Sequence, residues 1–137
     1  MSTEPYNDAV RRRFENPLHA GDPDARYPDI VTAEAFQSEA GFQVQLAADL
    51  DGGKIRRLCF RVFGCPHLIA AAEELCCLFE GRSPEALQDV PVTQLMEQFE
   101  VPVEKTGRIL LLEDAARALA RAILNREPSG PLKNRRN

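Results

Sequence analysis

Hydrophobic and polar residues alternate in the middle of the chain, and this alternation predicts a small antiparallel sheet. From residue 42 to residue 50 an apolar side chain recurs at every second position, which is the pattern of a half-buried strand. Asp51-Gly52-Gly53-Lys54 then predicts a tight hairpin turn. A second alternating segment runs from Ile55 to Phe63, and a less regular strand is predicted from Ile30 to Phe36. Together the three segments predict a meander with one face towards a core.

Helical spacing surrounds this sheet. Asn7 is positioned to cap a short helix before it, from Asp8 to Glu15. After it, Pro66 suits the first turn of a helix that Gly81 ends. Two short helices follow, and a final helix is predicted over 106–125. The fold class predicted is therefore α+β, a three-stranded antiparallel sheet with helices packed on one face.

Several polar residues carry simple structural expectations. Glu73, Cys77 and Glu80 face away from the apolar stripe of their helix, and Glu73 with Glu74 is interpreted as a solvated helix face. His19 lies in a proline-rich connector, 17–28, and is interpreted as an exposed loop residue. The connector is expected to be pinned to the body by Leu18 and Tyr27.

Composition narrows the functional classes. The chain has 137 residues, 44% hydrophobic, which suits one domain over 1–126 followed by a flexible tail over 127–137. The net charge of −4 argues against a nucleic-acid binder. No apolar run approaches the roughly 20 residues that a membrane span needs, so no membrane partner is expected. No signal-peptide pattern is present, and the protein is predicted to be cytoplasmic, with its four cysteines as thiols or ligands.

Cys65 and His67 are the residues with the clearest chemical potential. Both stand at the start of a predicted helix, where unpaired backbone N–H groups stabilise a thiolate. They provide two ligands for a metal, and Glu39 or a partner protein is a candidate source of the rest. Alternatively, Cys65 is an unreactive, packed thiol and the His67 side chain is exposed to solvent. Cys59, Cys76 and Cys77 are too far along their elements to join Cys65 and are interpreted as small apolar filler.

A series of short motifs follows one another along the chain. The motifs are Tyr6-Asn7-Asp8 with Phe14-Glu15-Asn16-Pro17, the hairpin at Asp51-Gly52-Gly53, Phe63-Gly64-Cys65, Glu80-Gly81-Arg82-Ser83, Val101-Pro102-Val103-Glu104-Lys105 and Leu112-Glu113-Asp114-Ala115. In their order and spacing, these motifs resemble those of the scaffold proteins of iron–sulfur cluster assembly, of the IscU and NifU N-terminal type. The resemblance covers roughly residues 6–126.

The resemblance implies a function, and the sequence departs from it at the metal site. Family members hold a cluster or zinc with three cysteines plus an Asp or His, and they receive and hand on a cluster rather than act as enzymes. Here Glu39-Ala40-Gly41-Phe42 replaces the first cysteine turn, and Thr106-Gly107-Arg108-Ile109 replaces the final His-Cys pair. Arg108 is therefore a candidate site-filling cation that pairs with Glu39 or with the Cys65 thiolate; the alternative is a solvated arginine.

Two functions follow from these observations. The first is an iron–sulfur assembly scaffold-like protein, diverged at its metal site, that carries sulfur or iron or docks to partners. The resemblance implies a cysteine desulfurase and assembly chaperones as partners, with the segment of Val101, Pro102, Val103, Glu104 and Lys105 as the chaperone-binding loop. No stable cofactor is expected on the chain alone, although iron, zinc or a cluster is a candidate weak ligand. The second function is a metal-free binding or regulatory module that kept the fold.

Overall fold

The elements of this computed structural model, which describes residues 6–23 and 29–126, follow the predicted order. The helices are α1 (Asp8–Glu15), α2 (Pro66–Phe79), α3 (Val92–Gln98) and α4 (Thr106–Asn125). The strands are β1 (Ile30–Gln37), β2 (Phe42–Asp51) and β3 (Lys54–Phe63). Short 3-10 helices occupy Pro84–Gln88 and Val103–Lys105. The prediction of an α+β fold is confirmed.

The three strands form one antiparallel sheet in the order β1-β2-β3. Leu46 at the centre of β2 pairs with Ala33 on one side and Phe60 on the other. The predicted hairpin turn is present, and both its glycines adopt a positive φ, 62° at Gly52 and 82° at Gly53. Such a backbone strains other residues, so the turn fixes the register between β2 and β3.

One face of the sheet is covered by helices. α4 packs on β1 and β2, while α2 packs on β3 and is covered in turn by α1. Each large side chain that is fully buried there contributes roughly 1.5–3 kcal/mol to folding. The largest of them are Phe79, Phe99, Leu46, Ile55, Leu58, Leu68, Leu75, Leu87, Leu95, Ile109, Leu112 and Leu119.

The connector after α1 is held differently from the prediction. Leu18 is 71% exposed and does not pin it, while Tyr27 lies outside the described residues. Instead the backbone of the connector pairs with β3: the Phe60 N–H donates to the His19 carbonyl at 3.0 Å, and the Gly21 N–H donates to the Phe60 carbonyl at 2.9 Å. The connector therefore extends the edge of β3 and brings His19 against the body.

Two further predictions concern the chain as a whole. The tail predicted over 127–137 lies outside the described residues, and the domain bounds of 1–126 stay a prediction. None of the helices in the described part of the chain combines the length and apolar character of a membrane span.

Candidate functional site

Cys65 occupies the junction between the end of β3 and the start of α2. It is the N-cap residue of α2, with extended backbone at φ −88° and ψ 168°, and its side chain makes no capping bond. Gly64 precedes it, and a Cβ at that position would lie 2.7 Å from Cδ2 of the buried Leu68. The close packing of Gly64 on α2 thus fixes where the half-buried thiol of Cys65 lies.

Arg108 reaches Cys65 from the first turn of α4. Its Nη1 donates a hydrogen bond to Cys65 Sγ at 3.4 Å. Its guanidinium also lies over the ring of Phe42, 4.7 Å from the centroid. The structure therefore shows one of the two pairings expected for Arg108, the one with Cys65, and a half-buried rather than fully solvated side chain.

His67 is buried beside this pair, with only 1% of its surface exposed, so the alternative in which it meets solvent is wrong. Lys105 Nζ lies 3.4 Å from His67 Nδ1, and the Tyr6 ring lies 4.8 Å from the imidazole. Burial, then the charges of Lys105 and Arg108, lower the pKa of His67, so the ring is neutral at physiological pH. Because an ammonium only donates, Nδ1 accepts and Nε2 carries the proton.

The predicted metal ligands do not come together as a set. Glu39 lies exposed in the turn between β1 and β2. Among the described residues, Cys65, His67 and Glu39 do not form a group whose ligand atoms are near enough to share one ion. His67 Nε2 is buried without a hydrogen-bond partner in the described part of the chain, but it is the protonated nitrogen of the ring and so has no lone pair for a metal. The residues that come together here do not fit a cluster, which would need further thiolate or imidazole ligands.

The remaining cysteines divide into two kinds. Cys59 and Cys76 are buried, as filler residues would be, and burial raises the pKa of both thiols, far more for Cys76. Cys77 is exposed, so the filler interpretation is wrong for this residue. Burial of part of the side chain, and then the carboxylates of Glu73 and Glu74, raise the pKa of Cys77.

The predicted chaperone-binding loop is folded rather than extended. Val101 is buried, with 8% of its surface exposed, while Val103 is 83% exposed. Glu104 is exposed, and Val103–Lys105 form a 3-10 helix that begins after Pro102. A partner that binds this loop as an extended peptide must therefore first draw Val101 out of the core.

An open groove of about 700 Å³ lies next to the Cys65 junction. Phe63, two residues before Cys65, is 73% exposed at its edge, and Phe14 is 44% exposed. Pro17, Val62 and Ile69 also line it. The groove is therefore a partly apolar surface, and Phe63 in its lining stands two residues before Cys65 in sequence.

A second polar cluster, which the sequence interpretation missed, lies further along α2. His19 Nδ1 is 2.7 Å from Glu73 Oε2, and His19 Nε2 is 3.2 Å from Glu80 Oε1. The exposed-loop interpretation of His19 is therefore wrong, since its side chain is only 13% exposed. Glu73 is buried, not solvated, at 4% exposure. The spacing of Glu73, Cys77 and Glu80 at i, i+4 and i+7 was the visible signal, because it places three candidate ligands on one helix face.

Comparison with known proteins agrees with the resemblance in the sequence. Residues 5–127 match the family model of the NifU-like N terminal domain. The chain is 30% identical over 117 residues to the iron–sulfur cluster assembly scaffold protein IscU of Azotobacter vinelandii, covering 85% of this chain and 91% of the relative. It is 29% identical over 115 residues to IscU of Haemophilus influenzae, covering 82% and 90%. The crystal structure of a NifU-like protein (N-terminal) from Brucella abortus shares the fold, with a TM-score of 0.67 at 17% identity, over 88% of this chain and 94% of that chain.

Proposed function

Because the chain belongs to the NifU-like N-terminal domain family, we propose that it serves iron–sulfur cluster assembly as a scaffold-like accessory protein that carries sulfur on Cys65. It has kept the fold and diverged at the metal site. It is a carrier and docking protein rather than an enzyme, and it acts in the cytoplasm. Cys65, with His67 or Glu39, binds iron, zinc or a cluster at most weakly.

The observation that carries this proposal is the hydrogen bond from Arg108 Nη1 to Cys65 Sγ. A guanidinium is always charged and stabilises a neighbouring anion without any metal. Lys105 adds a second cation against His67, which stands two residues after Cys65. These cations would stabilise a persulfide anion carried on Cys65, whereas a cluster would need several further thiolate or imidazole ligands.

The sulfur transfer we propose needs no reagent beyond a protein persulfide. The Cys65 thiolate attacks the outer sulfur of a donor cysteine persulfide. The donor S–S bond breaks as a new S–S bond forms on Cys65, and the donor cysteine leaves as a thiolate. The transferred sulfur is at the same oxidation level in the donor persulfide and in the product persulfide, so no separate oxidant is consumed.

A cysteine desulfurase is the donor class that the family suggests, and the groove beside Phe63 is the surface on which we expect it to dock. Exposed aromatic rings such as Phe63 and Phe14 are typical anchors in protein interfaces. Assembly chaperones are the second partner class, through the loop from Val101 to Lys105. For that loop we expect weak capture, because Val101 is buried and Glu104 carries a charge.

The test is an anaerobic incubation of the full chain with a cysteine desulfurase and limiting cysteine, followed by intact-mass and peptide-mapping mass spectrometry. We expect a gain of one sulfur atom on Cys65, loss of that gain in Cys65→Ala, and its retention in Cys77→Ala. A desulfurase that turns over without placing sulfur on Cys65 would contradict the proposal. That result would favour the second candidate, a metal-free binding or regulatory module in which Arg108 fills the place of the metal beside Cys65.

A further inference from the structure

The geometry points to a second site on α2: His19, Glu73 and Cys77 form a three-ligand site for a zinc-like divalent cation, separate from Cys65. The site lies eight to twelve residues beyond Cys65, about 12–18 Å along the helix axis. Within the described residues, these three side chains are the group whose ligand atoms all lie near enough to share one ion. The inference does not depend on the sulfur-carrier proposal, which concerns the other end of α2.

The distances between the ligand atoms fit this assignment. His19 Nδ1 is 2.7 Å from Glu73 Oε2 and 4.0 Å from Cys77 Sγ, and Cys77 Sγ is 3.7 Å from Glu73 Oε2. A tetrahedral zinc ion with bonds of about 2.0–2.3 Å separates its ligand atoms by roughly 3.3–3.7 Å. Binding thus requires shifts of well under 1 Å, chiefly an opening of the His19–Glu73 pair as its proton leaves.

The outer contacts of the site hold the ligands in the orientation that a metal needs. A metal-binding imidazole usually donates its second N–H to a carboxylate, which fixes the tautomer and the ring plane. Here His19 Nε2 lies 3.2 Å from Glu80 Oε1, which leaves Nδ1 for the ion. Glu80 is itself held, because its Oε2 accepts the Leu58 N–H at 2.8 Å.

The carboxylate of Glu73 is also oriented by a hydrogen bond. Its Oε1 accepts the backbone N–H of His19 at 2.8 Å, so Oε2 is the oxygen left to face the ring and the thiol. The Glu73 side chain is only 5% exposed, and a buried carboxylate is costly unless it is neutralised by a proton or a cation. A divalent ion would provide that neutralisation.

The donor set and its exposure favour zinc. One imidazole nitrogen, one thiolate and one carboxylate form a mixed set that suits a borderline-soft tetrahedral cation. Cys77 is exposed, so the fourth position opens to solvent. Protons compete with the ion for the imidazole nitrogen of His19 and the sulfur of Cys77, because both ligands bind a metal in their deprotonated form. Affinity should therefore increase with pH.

The experiment is a titration of the metal-free, fully reduced full chain with Zn²⁺, and with Co²⁺ as a spectroscopic probe. We expect one ion per chain, an intense visible Co²⁺ spectrum typical of tetrahedral sites, a thiolate-to-cobalt charge-transfer band, and tighter binding at pH 8 than at pH 6. Cys77→Ala should weaken Zn²⁺ binding at least tenfold, and Glu80→Gln should weaken it about tenfold through the orientation of His19.

Cys65→Ala is the matched control, since it removes a thiol from the other end of α2 and should leave Zn²⁺ affinity within twofold. Circular dichroism and a urea melt of Cys77→Ala check that the fold is kept, which we expect because Cys77 is exposed. The assignment is overturned if the wild-type chain takes up no stoichiometric ion or if the cobalt spectrum lacks the thiolate band. It is equally overturned if Cys65→Ala loses affinity while Cys77→Ala keeps it.

Discussion

Nη1 of Arg108 donates a hydrogen bond to Sγ of Cys65 at 3.4 Å, although 43 residues separate the two in sequence. The contact joins the first turn of α4 to the N-cap of α2. It places a permanent positive charge at the position where, by the family resemblance, a pair of metal ligands would stand. We therefore expect both the reactivity of the thiol and the stability of the fold to depend on this arginine.

Cys65 is expected to be the fastest of the four cysteines to alkylate at neutral pH. Cys59 and Cys76 are buried, and the pKa of each is raised by burial. Cys77 is exposed, but partial burial and neighbouring carboxylates raise its pKa. Partial labelling with iodoacetamide, mapped by mass spectrometry, gives the four rates. Faster labelling of Cys77 than of Cys65 would show that exposure outweighs the charge of Arg108.

Arg108→Ala should slow the alkylation of Cys65 by about fivefold, because a charge interaction near a protein surface is worth about 1 kcal/mol or more. The labelling rate of Cys77, far along α2, is the internal control and should not change. An equal rate for Cys65 in the variant and the wild type would mean that the guanidinium does not stabilise the thiolate.

Arg108→Ala should also lower the free energy of unfolding by about 1–2 kcal/mol, since it removes a charged hydrogen bond and the contact with Phe42. Arg117→Ala is the matched control: Arg117 lies on the same helix, is 49% exposed and pairs only with Glu113 at i, i+4 among the described residues. A surface change of that kind stays within about 0.5 kcal/mol. Urea melts of both variants provide the comparison, and coincident midpoints would favour a merely solvated Arg108.

The loop from Val101 to Lys105 should bind an assembly chaperone weakly or not at all. Burial of the unpaired Glu104 carboxylate in an apolar binding site of the chaperone would cost roughly 1–3 kcal/mol. A labelled peptide over 100–106 is titrated against the chaperone, with the Glu104→Val peptide as the comparison. We expect the substitution to restore binding, and tight binding by the unmodified peptide would argue that the loop still works as a chaperone site.

The full chain should bind less tightly than either peptide, because Val101 is buried and must leave the core before an extended segment can be captured. Equal affinities of peptide and full chain would show that the loop opens at no cost. This comparison measures the cost of unfolding the loop separately from the cost of burying the Glu104 carboxylate.

Local patterns were sufficient to predict the secondary structure. The glycines of the 51–54 turn and the alternation on either side predicted the β2–β3 hairpin, and Pro66 with Gly81 marked the limits of α2. These features depend on residues that are close in sequence. The expectation that Arg108 pairs with Cys65 or with Glu39 came instead from the family resemblance, which supplied the relative positions of α2 and α4.

The contact of His19 with the polar face of α2 was beyond the reach of those patterns. His19 and Glu73 lie 54 residues apart, and their contact requires the connector to pair with the edge of β3. Periodicity placed Glu73 on the polar face of α2, and at Glu73 that face is covered by the connector rather than by solvent. His67 shows the same limit, since its burial depends on Tyr6 and Lys105 from distant parts of the chain.

Anaerobic reconstitution with iron and sulfide tests the central claim most directly, that the Cys65 site is a thiol–guanidinium pair rather than a cluster site. Visible absorption and iron and sulfide analysis of the desalted protein measure the outcome, with Cys77→Ala included so that metal bound near His19 is not counted. We expect no stable two-iron cluster on the monomer, because Cys65 with its neighbours cannot complete two four-coordinate iron sites. A stoichiometric, stable cluster on the monomer that is lost in Cys65→Ala would contradict the account.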